Sequence, residues 1–163
     1  MALDGWLGAL TFATALGCGL VAGVFFAFST FVMPALARLP AAQGIAAMQS
    51  INVAVINPMF LGVFLGTAGV CALVVAGAVM RWGRAGGAYL IAGGLLYVLG
   101  TFGVTILCNV PLNNVLARLQ PTDPDAAARW AEYLSRWTAW NHVRTVAALA
   151  AVGSFALALR KLP

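Results

Sequence analysis

The sequence predicts an all-α integral membrane protein. The expected architecture is a four-helix bundle, with a short amphipathic helix between spans 1 and 2 and a long fourth helix extending out of the membrane. Three observations carry this. The chain is 63% hydrophobic and only 8% charged, against a usual charged share of about 25%. A soluble fold of 163 residues has too little interior to hide that much apolar surface. The apolar residues also gather into four runs, each long enough for the roughly 20 residues a spanning helix needs. Alternating strand patterns are absent, so a β-barrel is not expected.

One domain, residues 1–163, should hold spans at about 6–33, 58–80, 88–110 and 138–160. The first run exceeds the bilayer and must tilt or project. It lacks a basic leader region, its first charge is Asp4, and it continues past signal length, so it reads as a retained span. Pro34 to Asn57 is a connection holding a helical stretch, Ala41–Val55, with Gln49 and Asn52 three apart on one face. Asn57-Pro58 opens the second span, where proline's missing N–H does no harm. Arg81 to Gly87 is a tight turn with interface anchors. In the third span Thr101, Thr105 and Asn109 follow i, i+4 spacing, and Asn109-Val110-Pro111-Leu112-Asn113-Asn114 is expected to break the helix and free backbone carbonyls. Pro121 to Asp125 is a turn, after which the chain continues helically into the fourth span. On that helix Trp130, Tyr133, Trp137, Asn141 and Arg144 share a stripe, flanked by Trp140. His142 points about 100° from Asn141 and about 160° from Arg144.

Small residues recur at helix-packing spacing, as at Gly19 and Gly23 or Gly62 and Gly66. Packing within one bundle explains them, and a homo-oligomer remains open. Cys18, Cys71 and Cys108 all lie in apolar runs with no CxxC pair and read as small hydrophobes. The net charge is +5. With four spans, Arg81, Arg84, Arg160 and Lys161 share a side with the N-terminus, and Arg38, Arg118, Arg129 and Arg136 share the other. That basic count ties, and both termini are assigned to the cytoplasm of a bacterial inner membrane on a narrow lean. No basic tract suggests nucleic acid.

Chemistry rests on three polar clusters expected at matching depth: Gln49, Asn52 and Asn57; Thr101, Thr105, Asn109 and Asn113; and Asn141, His142, Arg144 and Thr145. An amide in hydrocarbon must find a partner. Interhelical hydrogen bonding and a ligand site both satisfy that need. The Trp130, Tyr133 and Trp137 stripe is either an interfacial belt or a wall for a flat ligand. Arg144 lies inside the span without an evident carboxylate, which points to snorkelling, an amide partner or an anionic ligand. A lone histidine is not a metal site, although a single-histidine haem stays open. No Ser–His–Asp arrangement, phosphate loop, or NAD, flavin or ATP signature is visible.

Several stretches in order carry a resemblance: Phe25-Phe26-Ala27-Phe28-Ser29, Val32-Met33-Pro34-Ala35-Leu36, Met48-Gln49-Ser50-Ile51-Asn52, Asn57-Pro58, Asn109-Val110-Pro111-Leu112-Asn113, and Trp130 to Arg144. Together the chain resembles the anthrone oxygenase-like family of small four-helix membrane proteins. The resemblance implies oxidation of a lipophilic anthrone-like or phenolic aromatic substrate by O2 to a quinone, without cofactor or metal. On that basis His142 is assigned as the base. Arg144 and Asn141, with Asn109 and Asn113, stabilise an oxyanion. Phe26, Tyr133, Trp137 and Trp140 hold the rings, and Gln49, Asn52 and Asn57 line the substrate side. The implied partners are the aromatic molecule, O2 and membrane lipids. Two other readings stay open: a membrane binding or transport module without catalysis, and a haem- or metal-dependent redox protein using His142. All depend on the polar groups converging on one chamber beneath one leaflet.

Overall fold

Every expected span is present, and three of the four helices run further than the apolar stretches that predict them. The structure is a computed structural model describing residues 2–80 and 83–162. Its long helices are α1 (Trp6–Ala37), α3 (Pro58–Met80), α4 (Gly87–Ala117) and α5 (Ala126–Leu159), and the short one is α2 (Ala41–Ala54). The fold is all-α, with no strand among the described residues. Four helices long and apolar enough to cross a bilayer indicate a multi-pass membrane protein. Their outer faces carry apolar side chains such as Leu73, Leu107 and Val146, which suit lipid. At 1.5 Å per residue α5 is about 51 Å long, against a hydrocarbon core of about 30 Å, so it extends well past the bilayer.

Two expected interruptions are absent, for one physical reason. α1 continues through Pro34 to Ala37, and α4 continues through Pro111 to Ala117. Inside a regular helix, a proline ring clashes with the carbonyl four residues back and offers it no N–H. Those carbonyls belong to Thr30 and Leu107, and both sit in π-helical turns, Phe28–Val32 and Thr105–Asn109. The wider turn moves the carbonyl away from the ring, so the helix absorbs its proline instead of breaking. A third π segment, Leu96–Gly103, precedes the second of these in α4.

α1 packs on α3 and α5, and α4 lies between α3 and α5, closing a four-helix ring. One apolar core fills the half nearer the termini, built on Cys18, Phe64, Cys71, Tyr97 and Phe155. A second lies under α2, built on Met33, Ile45, Met48, Leu116 and the Trp130–Tyr133–Trp137 stripe. α2 buries Gly44, Ile45 and Met48, so it is the amphipathic helix expected between the first two spans. Gly44 is where it meets α5: a Cβ there would lie 2.8 Å from Trp130 Cζ2. Gly44→Val is therefore expected to lift α2 off α5 and cost about 1–3 kcal/mol. The readout is the thermal midpoint in detergent, and a variant as stable as the parent would refute this docking.

Between α3 and α4 the chain reverses at Gly83 and Gly86, with φ of +88° and +81°. Gly86 also faces the Ala158 carbonyl, which would sit 3.2 Å from an added Cβ. The interface anchors expected at Arg81 and Trp82 lie outside the described residues.

Candidate functional site

The polar residues of α1, α4 and α5 meet at the level of the two proline-linked π turns. Asn141 is the centre. Its Nδ2 donates to the Phe25 carbonyl at 2.7 Å and to Ser29 Oγ at 2.6 Å. Its Oδ1 accepts from Arg144 Nε at 2.8 Å and Nη2 at 2.6 Å. One side chain thus ties α1 to the cation one turn along α5, and it is fully buried.

Arg144 is 5% exposed. The Phe25 ring lies 3.8 Å from its Cζ and the Trp137 ring 4.8 Å, close enough for both to stabilise the charge through their π faces. Its Nη1 donates to Thr105 Oγ1 at 3.3 Å. Thr101 Oγ1 donates to the Arg144 carbonyl at 3.3 Å, and Thr145 Oγ1 to the Asn141 carbonyl at 2.6 Å. Among the described residues the ion pairs are Arg129–Asp125 and Arg136–Glu132, both exposed and each linking residues four apart in the first turns of α5. Neither carboxylate serves Arg144.

A second layer lies one to two turns toward α2. Asn109 Nδ2 donates to the Trp137 carbonyl at 3.2 Å, and its buried Oδ1 has no partner. Asn113 Oδ1 accepts from Trp137 Nε1 at 2.8 Å and from Tyr133 OH at 3.0 Å. Trp130 stacks on Tyr133, with centroids 5.5 Å apart. Gln49 Nε2 donates to the carbonyls of Leu116 and Leu119, fastening α2 to the end of α4. Asn52 Nδ2 and Trp130 Nε1 are buried without a hydrogen-bond partner.

The expected site residues therefore separate into two groups. Asn141, Arg144, Asn109, Asn113, Tyr133 and Trp137 come together in one network, with Gln49 and Asn52 at its α2 edge. Asn57 does not join them: Phe60 N donates to its Oδ1 at 2.9 Å, so it caps α3. His142, Trp140 and Phe26 are exposed on the outer faces of α5 and α1. The helical phase already turned His142 away from Arg144, and packing places it outside the bundle.

The polar groups converge, but the expected chamber is not open. The rings of Phe25 and Trp137 lie against the guanidinium, and Phe28 packs on Trp137 with centroids 5.6 Å apart. A cleft of about 180 Å³ reaches Tyr133 from outside, between Leu112, Leu116 and Glu132. The larger cleft, about 900 Å³, lies at the opposite end near the termini. Among the described residues no three His, Cys, Asp or Glu side chains gather as a metal site would need.

Two members of the network went unassigned in the sequence reading, Phe25 and Ser29. Their signal was indirect. A proline within a helical apolar run marks a widened turn just before it, and the polar or carbonyl groups there are available to a neighbouring helix.

The family model for anthrone oxygenase matches residues 58–154, more than half of the chain. The chain belongs to the anthrone oxygenase family. No curated protein and no solved structure matches it. The anthrone oxygenase match takes in Thr101, Thr105, Asn109, Asn113, Tyr133, Trp137, Asn141, His142 and Arg144, and stops short of Phe25, Ser29, Gln49 and Asn52. Anthrone oxygenase membership suggests an oxidoreductase of the oxygenase kind. By the family's name alone, it implies O2 and an aromatic substrate.

Proposed function

We propose that this protein is a cofactor-independent oxygenase of the bacterial inner membrane, with both termini cytoplasmic, that oxidises a lipophilic anthrone-like or phenolic substrate to a quinone. The observation that carries this reading is the Arg144 cation, buried between α1, α4 and α5 with no carboxylate partner among the described residues. A guanidinium has five N–H donors, and three are engaged here. The remaining two are free for an anionic oxygen. In a low-dielectric interior, such prepositioned donors favour the charged form of a bound substrate strongly.

An anthrone has a methylene flanked by two aryl rings, opposite a ketone. Loss of one methylene proton gives an enolate whose charge sits on the former ketone oxygen. The two remaining N–H groups of Arg144 hold that oxygen, with the guanidinium oriented by Asn141 Oδ1. The enolate passes one electron to O2, and the two radicals combine into a carbon-bound peroxide. The second methylene proton then leaves as the O–O bond breaks. The sum is one O2 consumed, one C=O formed and one water released. No metal is needed, because the carbanion is the reductant. Phe25 and Trp137 cover the cation, so the substrate ring takes the place of one of them, with Trp137 closest to the Tyr133 cleft. Stabilising the enolate lets water serve as the proton acceptor, and His142 stays out of contact with the ring.

The test is oxygen uptake by purified protein in detergent with anthrone, alongside the rise of quinone absorbance. We expect one O2 per quinone, and a His142→Ala variant within a few-fold of the parent. Uptake no faster than the spontaneous rate would sink the oxygenase reading. Normal uptake by the parent with complete loss in His142→Ala would restore that side chain as the base.

A further inference from the structure

The 900 Å³ cleft at the end of the bundle nearer the termini has no part in the chemistry above. It lies between the start of α1, the last turns of α3 and the start of α4. It is a groove open to the outer face of the bundle with aliphatic walls: Leu7, Leu10, Leu73, Val74, Gly77 and Ala78 line it without an amide, hydroxyl or acid among them. Two cations stand in its lining, Arg84 from the α3–α4 turn and Lys161 from just beyond the end of α5. Both are exposed.

The chain topology makes this end strongly positive. Among the described residues Arg84, Arg160 and Lys161 belong to it, all three exposed. Asp123, Asp125 and Glu132 all lie at the other end, where Asp125 and Glu132 pair with arginines of their own helix. A flat polar aromatic would find nothing to fix its oxygens at depth. A flexible hydrocarbon chain needs only aliphatic walls, and an anionic head needs only the cations at the mouth.

We propose that this cleft is a selective site for an anionic phospholipid. One acyl chain lies along Leu10 and Val74, and the phosphate is held by Arg84 and Lys161. From Met80 to Leu73 the wall is about 10 Å deep along α3, enough for the upper part of one chain. With the termini on the cytoplasmic side, the site faces the leaflet where basic pockets meet anionic headgroups.

The test is native mass spectrometry of the full-length protein released from micelles, titrated with phosphatidylglycerol or phosphatidylcholine of matched chains. Phosphatidylglycerol is expected to bind at least about ten-fold more tightly, since each 1.4 kcal/mol is tenfold. The double variant Arg84→Gln, Lys161→Gln should bring the two lipids within about two-fold of each other. Gly77→Leu should weaken both lipids alike. An added Cβ there meets nothing within 4 Å, so the new side chain enters the cleft without disturbing the helices. Circular dichroism and thermal midpoint confirm that each variant folds. Equal affinity of the parent for both lipids overturns the proposal, whatever the variants do. So does a preference that survives loss of both cations, or displacement of phosphatidylglycerol by anthrone. Oxygen uptake plays no part in these readouts, so the two proposals fail separately.

Discussion

Arg144→Met is expected to lower turnover by a factor of about 10²–10³, the usual cost of removing a donor aimed at a developing oxyanion, while lowering the thermal midpoint only slightly. The two halves of that result come from one feature. Arg144 is a buried cation whose donors go to an amide and a hydroxyl instead of a carboxylate. Desolvation opposes a buried charge, so its removal offsets much of the cost of leaving Asn141 Oδ1 without its two donors. Methionine suits the space between Phe25 and Trp137, because its sulfur packs well against aromatic rings. A residue kept for stability alone would show the reverse pattern. Arg144→Lys separates charge from geometry: an ammonium keeps the charge but cannot reach Asn141 Oδ1 in the same forked manner. It is expected to fall at least about ten-fold below the parent. Oxygen uptake and thermal melting on the same preparations provide both readouts. A Met variant that melts several degrees lower yet turns over normally would show that Arg144 holds the bundle and does no chemistry.

Asn141→Leu is expected to be the most destabilising single substitution in the site, at about 3–5 kcal/mol. The change removes two donated bonds to α1 and two accepted bonds from Arg144. It leaves a buried guanidinium facing hydrocarbon, together with a carbonyl and a hydroxyl that have lost a donor. Truncating one partner of a buried pair costs far more than removing both. The double variant Asn141→Leu, Arg144→Met should therefore regain most of the loss. Unfolding in mixed micelles, run as a double-mutant cycle, measures this coupling. Additive effects within about 0.5 kcal/mol would mean that the two side chains do not act as a unit.

Hydropathy made the long helices legible, because only length and apolarity decide whether a helix can cross lipid. The stripe of Trp130, Tyr133, Trp137, Asn141 and Arg144 was legible too, since helical phase alone places these residues on one face, and all five are buried. The ends of α1 and α4 were not. Pro34 and Pro111 carry breaking chemistry in isolation, and only the neighbouring π turns neutralise it. His142 drew attention through its chemistry, although its angle to Arg144 already placed it on another face. The filled space around Arg144 could not be read either. A sequence names the polar groups, but which rings lie over them depends on how α1 is set against α5. Phe25 and Ser29 entered the network by that route, 112 residues or more before Asn141 in the chain.

The wide turns at Phe28–Val32 and Thr105–Asn109 also set the rotational alignment of the two halves of each helix. A deletion of one residue within either would let the backbone ladder close in the ordinary i+4 manner, at no loss of helix and little change in hydropathy. It would leave the preceding half close to its present phase, because five residues of wide turn cover about the same rotation as four ordinary helical residues at about 100° each, so Phe25 and Thr101 would stay in the interior. In this fold a single-residue gap in those five-residue windows strains the backbone locally against Pro34 or Pro111, whereas the same gap in a regular stretch of α1 or α4 redirects a whole face at once.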